Sequence, residues 1–258
     1  MNINKTSLFK HSLWVLIMLA VFSKVMGFSK PQDQPPLMPR QINLSGNILY
    51  FSIPENFSVD FPADDMIESV DLTDKKLFGN PDKFTLIRRW WDIKESGFFA
   101  KDIGTIMMSI YIKEKPDRLD KNLLEPLGLI GTIIDDFKKQ DETKSNSGTA
   151  LYPDFYEAYS ISTFNKNNWI NYPVENPENH THDIFHAITI SDNNYVVVHF
   201  SFAPTNSVDV RSFIESYGRG FMEEIMNSFD IKYTGGSQVP AIIKQPVNLQ
   251  KLIEEKLY

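Results

Sequence analysis

The most constraining feature of this 258-residue chain is a pair of apolar segments separated by a short polar turn. Residues 184–190 read IFHAITI and residues 195–203 read YVVVHFSFA, with SDNN near the turn between them. Both segments are rich in β-branched and aromatic residues, which favour strands, and asparagine tolerates the positive φ angles of tight hairpin turns. The pattern therefore predicts a β-hairpin whose second strand has a continuous apolar face.

Other segments predict strands that are grouped rather than alternating with helices. The first is NILYFSIP (47–54), and two more, FTLIRRWWDI (84–93) and IGTIMMSIYIKEK (103–115), are joined by a short loop that predicts a second hairpin. DFYEAYSISTF (154–164) and NNWINYPV (167–174) predict two further strands. Helical periodicity is found in residues 119–140 and, more strongly, in 207–229, where apolar residues recur at spacings of three and four. Strands grouped between helices predict an α+β fold, in which an antiparallel sheet is packed by one long C-terminal helix and a shorter central helix.

The N-terminus carries the pattern of a secretory signal peptide over residues 1–27. A basic start is followed by ten consecutive apolar residues, Leu13–Phe22, and by Val25 and Gly27 at the −3 and −1 positions of a cleavage site. The alternative is an uncleaved anchor, but a spanning helix needs about 20 apolar residues and Lys24 interrupts this run. The chain has no cysteine, which excludes a lipid-anchored lipoprotein and favours the bacterial periplasm over a disulfide-stabilised scaffold.

The rest of the chain predicts one domain with a C-terminal extension. Residues 28–41 are rich in proline and predict an extended linker, residues 42–233 predict a single α+β domain, and residues 234–258 predict a linker with a short amphipathic helix. No segment after residue 27 is apolar for long enough to span a membrane. Signal cleavage would move the formal charge from −7 to −10, because the removed segment holds three lysines and no acid. This acidic balance argues against non-specific nucleic-acid binding and permits a basic protein partner, although solubility alone is the simpler explanation of the net charge.

Three of the five histidines lie in NHTHDIFHAI (179–188), and such a cluster raises the possibility of a metal site. Histidine nitrogens are common zinc ligands, so His180, His182 and His186 define the alternative of a metal-dependent hydrolase or a metal-binding protein. On a strand, however, His182 and His186 would be about 13 Å apart, which is too far for one ion. We therefore interpret the segment as a polar loop that enters a strand, with His186 half-buried, and we predict no metal and no cofactor.

The candidate partner-binding residues are basic or aromatic and fall in two short segments. Arginine and tryptophan are enriched at interaction hot spots, and aromatic side chains supply large contact areas. We assign to this set Arg88, Arg89, Trp90, Trp91, Phe155, Tyr156 and Tyr159. The alternative is that strand alternation sends some of them into the core while arginine stacks on indole. No catalytic residue is predicted, because the chain lacks a GxSxG motif, a cysteine and a glycine-rich phosphate loop.

Three stretches carry a resemblance to known families. YFSIPENFSVDFP (50–62) resembles the first strand of PsbP-like domains and FMEEIMNSFDIKY (221–233) resembles their terminal helix, which implies a PsbP-like domain over about 42–233. FGNPDKFTLIRRWWD (78–92), together with the signal peptide, resembles periplasmic immunity proteins encoded beside type VI secretion effectors in Gram-negative bacteria. That resemblance implies a non-catalytic protein whose partner is a cognate secreted toxin. An envelope domain that binds a lipid or another small ligand is a further alternative.

Overall fold

The structure, a computed structural model, covers most of the chain after the predicted signal peptide. Except for Lys94, Glu95 and Lys101, the described residues belong to one compact unit, Gln34–Ile93 and Asp102–Tyr258. The predicted signal peptide and His180 lie outside the described residues. The described residues are 36–55, 65–78, 83–95, 101–116, 119, 121–143, 151–176, 181–234 and 248–257.

The described strands form two sheets. The smaller sheet consists of β1 (Leu37–Leu44), β2 (Asn47–Pro54), β3 (Ser69–Val70) and β10 (Asp230–Lys232). The larger sheet consists of β4 (Lys83–Lys94), β5 (Asp102–Glu114), β6 (Ser160–Phe164), β7 (Asn167–Asn176), β8 (Thr181–Thr189) and β9 (Asn194–Pro204). The strand orders are β10–β2–β1–β3 in the four-stranded sheet and β4–β5–β9–β8–β7–β6 in the six-stranded sheet.

The predicted hairpin of residues 184–203 is confirmed as β8 and β9, which pair antiparallel with His186 opposite Val198. The strands predicted at 84–93 and 103–115 are also present, as the neighbours β4 and β5. The small sheet is mixed, because β1 pairs antiparallel with β2 but parallel with β3. The α+β class is therefore confirmed in its coarse form, with strands as the dominant element.

The first strand begins earlier than predicted. β1 starts at Leu37, inside the proline-rich segment predicted as a linker, and it forms a hairpin with β2. The two-residue turn of this hairpin places Ser45 at φ 51° and Gly46 at φ 95°. Glycine adopts such angles without steric cost, and the Gly46 N–H donates to Asn43 Oδ1 at 2.8 Å, which fixes the turn.

The helices differ from the prediction at their ends. The central helix α1 (Pro126–Thr143) starts at Pro126 rather than near residue 119, because proline lacks an N–H and suits the first helical position. The predicted single long helix over 207–229 is not confirmed. That region holds α2 (Val210–Phe213), a π-helical turn (Ile214–Gly218) and α3 (Arg219–Met226). A short helix α4 (Leu249–Leu257) follows near the C-terminus.

The six-stranded sheet separates two apolar cores. One core contains buried residues of this sheet, of the small sheet, of α2 and of α3, and we call this side of the six-stranded sheet the small-sheet side. The other contains residues of α1, of α4 and of the opposite face, which we call the α1 side. Alternation in β9 divides its residues between them, with Val198 and Phe200 in the first core and Tyr195 and Val197 in the second.

Candidate functional site

The cluster Arg88, Arg89, Trp90 and Trp91 lies in β4, the edge strand of the six-stranded sheet, and strand alternation divides it. Trp91 is only 3 % exposed and packs edge-on against Phe221, with ring centroids 5.0 Å apart. Arg89 is also buried. Arg88 and Trp90 are half-exposed, and the guanidinium carbon of Arg88 lies 5.7 Å from the Trp90 ring centroid. Trp91 and Arg89 are therefore core residues here, while Arg88 and Trp90 are accessible to a partner.

The second predicted segment, with Phe155, Tyr156 and Tyr159, also contains both exposed and buried side chains. Here a helical turn, and not strand alternation, separates them. Residues predicted as a strand from 154 form a 3₁₀ turn at Tyr156–Ala158 before β6 begins. Phe155, just before this turn, is 55 % exposed, and Tyr156 is half-exposed. Tyr159 is 4 % exposed and donates its hydroxyl hydrogen to the Pro153 carbonyl at 3.0 Å, so it is a core residue rather than a contact residue.

Leu151 extends the exposed surface around Phe155. It is 59 % exposed, and its N–H donates to the Glu175 carbonyl at 2.8 Å, which holds it beside the outer edge of β7. Among the described residues, Leu151, Phe155 and Met38 are the large apolar side chains with the greatest exposure. Leu151 was not among the predicted residues, because a lone leucine in a polar loop has no distinguishing pattern.

The two described histidines of the 180–186 cluster lie on one face of β8 but in different surroundings. His186 is fully buried rather than half-buried, and its Nε2 atom lies 3.4 Å from Met222 Sδ. Burial lowers the pKa of His186 to about 3, so the ring is neutral at ordinary pH. His182 is half-exposed and lies opposite Glu175 on β7. Within the described residues, no three His, Cys, Asp or Glu side chains are grouped to hold a metal ion.

A row of polar side chains that was not predicted from the sequence crosses three neighbouring strands on the α1 side. Ser109 on β5 lies directly opposite His199 on β9, and its Oγ atom is 3.4 Å from His199 Nδ1. The other ring nitrogen, Nε2, is 3.4 Å from Oδ1 of Asp183 on β8, close enough for an ion pair but not aligned as a hydrogen bond. We call Ser109, His199 and Asp183 the polar row.

Stacked rings hold His199 in place. Phe185 lies opposite His199 across the β8–β9 pair, and the two rings are parallel within 2° at a centroid distance of 4.2 Å. Tyr172 on β7 continues the stack on the other side of Phe185, at 5.1 Å. The T-shaped contact of Phe137 from α1 with Tyr172 closes the far end of the stack, at 5.8 Å. The imidazole orientation is therefore fixed by packing as well as by the polar row.

The polar row contains the residue types of a hydrolase triad, but its surroundings do not suit acyl transfer. Ser109 is buried in the middle of β5, which pairs with β4 on one side and β9 on the other. The backbone N–H groups near Ser109 are therefore used in the hydrogen bonds of the sheet. Acyl transfer instead needs free N–H groups that point at the developing oxyanion. A nucleophilic serine of this type usually stands on a sharp turn between a strand and a helix. The geometry favours a polar network that orients His199 and Asp183 at a partly exposed surface.

The comparisons with known proteins do not place the chain in a family. The sequence matches no protein-family model and no curated protein sequence. Among the described residues, no helix has the length and apolar character needed to cross a membrane. The function therefore has to be inferred from the exposed and half-exposed side chains.

Proposed function

We propose that this chain is an exported, non-catalytic protein that binds a protein partner, and that it acts as a periplasmic immunity protein against a type VI secretion effector. The observation that supports binding best is the stacked pair of Arg88 and Trp90 on the edge strand β4, since both side chains keep part of their surface exposed. Arginine and tryptophan are the residue types most enriched at interaction hot spots. The signal-peptide pattern and the resemblance of residues 78–92 to immunity proteins support the proposed cellular role.

The pair is continuous with other half-exposed side chains on the α1 side of the sheet. Thr105 on β5 donates its hydroxyl hydrogen to Asp92 of β4 at 3.3 Å. Thr105 lies on the same face of β5 as Ser109, so Asp92, and with it Arg88 and Trp90, lie on the face that carries the polar row. We define the binding face by its half-exposed residues, Arg88, Trp90, Asp92, Thr105, Met107, Asp183, His199 and Ser201. Arginine, tryptophan and methionine are enriched at protein interfaces, and the aspartates and the serine suit a polar rim around them.

The charge of the chain favours a basic partner. The formal charge is −7, and opposite net charges accelerate association because the long-range field steers the encounter. Salt screens this field beyond about 10 Å at 0.1 M ionic strength, so the association rate is expected to fall as salt is added.

The proposal is tested by binding and protection. The mature chain would be co-purified with the protein encoded by the adjacent gene, and cells that express that protein in the periplasm would be scored for survival. We expect a stable complex and rescue of growth. Trp90→Ala is expected to weaken the complex at least ten-fold, because truncation of a hot-spot side chain costs about 2 kcal/mol or more.

The matched control is Met38→Ser, which removes an exposed apolar side chain from β1, outside the binding face. It is expected to leave the dissociation constant unchanged. The proposal fails if the mature chain neither binds the neighbouring gene product nor protects cells from it. If neither Trp90→Ala nor Arg88→Ala changed the dissociation constant, the protein would still bind a partner. The binding site would then lie elsewhere, for example at Leu151 and Phe155.

A further inference from the structure

A contact in the interior of the protein is not used by the proposed binding function. His186 on β8 points into the small-sheet core, where its Nε2 atom lies 3.4 Å from Sδ of Met222 on α3. The other ring nitrogen, Nδ1, is buried and has no hydrogen-bond partner among the described residues. A neutral imidazole has one N–H donor and one lone pair. In either tautomer, the ring therefore faces only a thioether sulfur.

This arrangement is unusual for a structural histidine. Buried polar side-chain atoms nearly always find a hydrogen-bond partner, and one left without a partner costs about 1–3 kcal/mol. The rings around His186 do not supply one, because Phe164 and Phe200 meet it edge-on at centroid distances of 5.2 and 6.3 Å. A neutral imidazole with its proton on Nδ1 presents the Nε2 lone pair to the Met222 sulfur, and this lone pair is available for a metal.

We propose that His186 Nε2 and Met222 Sδ form a binding site for a soft monovalent metal ion, copper(I), which silver(I) would mimic without redox chemistry. Thioether sulfur selects copper(I) among the common metals, and imidazole also binds copper well. Neither ligand carries charge, so a monovalent ion is less costly to bury here than a divalent one. Copper(I) accepts two or three ligands, which matches a pair of side chains in a dry, aromatic environment.

The distance between the two ligand atoms is compatible with this ion. Ligand distances of about 2.0 Å to nitrogen and about 2.3 Å to sulfur, taken from other metal sites, place the two ligand atoms roughly 3.7 Å apart at an angle of about 120° and about 4.3 Å apart for a linear ion. The observed separation is 3.4 Å, so the sulfur has to move by roughly 0.3 Å for a three-coordinate ion and by roughly 1 Å for a linear one. Methionine allows this movement because its side chain is unbranched and flexible. Met222 keeps 6 % exposure, whereas His186 is fully buried.

The experiment is a metal titration of the full mature chain in the absence of oxygen. Silver(I) nitrate and copper(I) would be titrated in competition with a coloured copper(I) chelator, while the His186 ring signals are followed by NMR and unfolding by calorimetry. We expect one equivalent to bind, to shift the His186 signals and to raise the melting temperature, because an ion that binds only the folded state stabilises it. Zinc(II) is expected to do none of these at the same concentration.

Matched methionine variants make the test specific. Met222→Leu conserves volume and removes the sulfur, so it is expected to fold and to bind silver(I) at least ten-fold more weakly. Met226→Leu changes another buried methionine of α3 and is expected to bind as the wild type does. The proposal is overturned if the wild type binds no silver(I), if Met222→Leu binds it equally well, or if zinc(II) stabilises the chain more than silver(I). These outcomes do not depend on whether a protein partner exists.

Discussion

Gly218 lies so close to Phe202 that a Cβ atom on the glycine would stand 2.6 Å from Cε1 of the phenylalanine ring. Gly218 ends the π-helical turn that begins at Ile214, and Phe202 projects from β9 into the same core. The helical segment can therefore pack this closely against the sheet because residue 218 has no side chain. Gly220, two residues later, has open space where its Cβ would be.

The two glycines form a matched pair for a stability measurement. Gly218→Ala is expected to lower the free energy of unfolding by about 1–3 kcal/mol, because the added methyl group overpacks the core against Phe202. Gly220→Ala is expected to raise it by about 0.5–1 kcal/mol, since alanine has the higher helix propensity and meets no neighbour. Urea unfolding of both variants measures the difference. Equal effects of the two substitutions would contradict the close approach at Gly218.

The buried His186 predicts a pH dependence of stability. Its pKa in the folded chain is lowered to about 3 by burial, from an ordinary value of 6.5. Between those values the unfolded chain binds the additional proton, so the free energy of unfolding decreases as the pH falls. The loss attributable to this residue is expected to be about 2 kcal/mol between roughly pH 7.5 and pH 5.

Variants at the two histidines of β8 isolate this contribution. His186→Leu is expected to flatten the pH dependence of the unfolding free energy by that amount, whereas His182→Gln, on the half-exposed end of the strand, should leave most of it intact. Urea midpoints measured across the pH range give the comparison. If His186→Leu showed the same slope as the wild type, the histidine would not be the titrating group.

A buried ion pair between Lys113 and Asp136 joins β5 to α1. Both side chains are nearly inaccessible, so each charge depends on the other for compensation. Lys113→Met removes the ammonium group that offsets the Asp136 carboxylate and is expected to cost about 3–5 kcal/mol. The double change to Lys113→Met and Asp136→Leu should recover most of this loss, because well-packed apolar residues replace buried ion pairs at little cost. A double variant no more stable than Lys113→Met would show that packing, and not charge compensation, dominates here.

Local periodicity was sufficient to predict the strands whose sequence patterns are strongest. The β8–β9 hairpin and the neighbours β4 and β5 follow from alternation and turn residues, which act over a few positions. β1 was missed because Pro39 resembles a strand breaker. In the structure, β3 pairs only with Asn43 and Leu44 of β1, so Pro39 lies where the strand has an open edge within the described residues.

The candidate site depended on register, which the sequence does not reveal. Alternation predicted that Trp90 and Trp91 would separate, but only the paired neighbours decide which of them is buried. Tyr159 entered the core because a 3₁₀ turn replaced the expected strand. Ser109, Asp183 and His199 are far apart in sequence, and they meet because three strands align in one register. No local pattern could have indicated the polar row.

The polar row provides the last test, since it separates a structural network from a catalytic one. His199→Phe keeps a ring on Phe185 but removes both polar contacts, so Ser109 and Asp183 lose their partner and the free energy of unfolding should fall by about 1–3 kcal/mol. Ser109→Ala removes a single neutral contact and is expected to cost about 1 kcal/mol. A fluorophosphonate probe, which reacts with activated serines, is expected to leave the wild-type chain unlabelled. Labelling of the wild type that disappears in Ser109→Ala would instead identify Ser109 as a nucleophile and overturn the non-catalytic assignment.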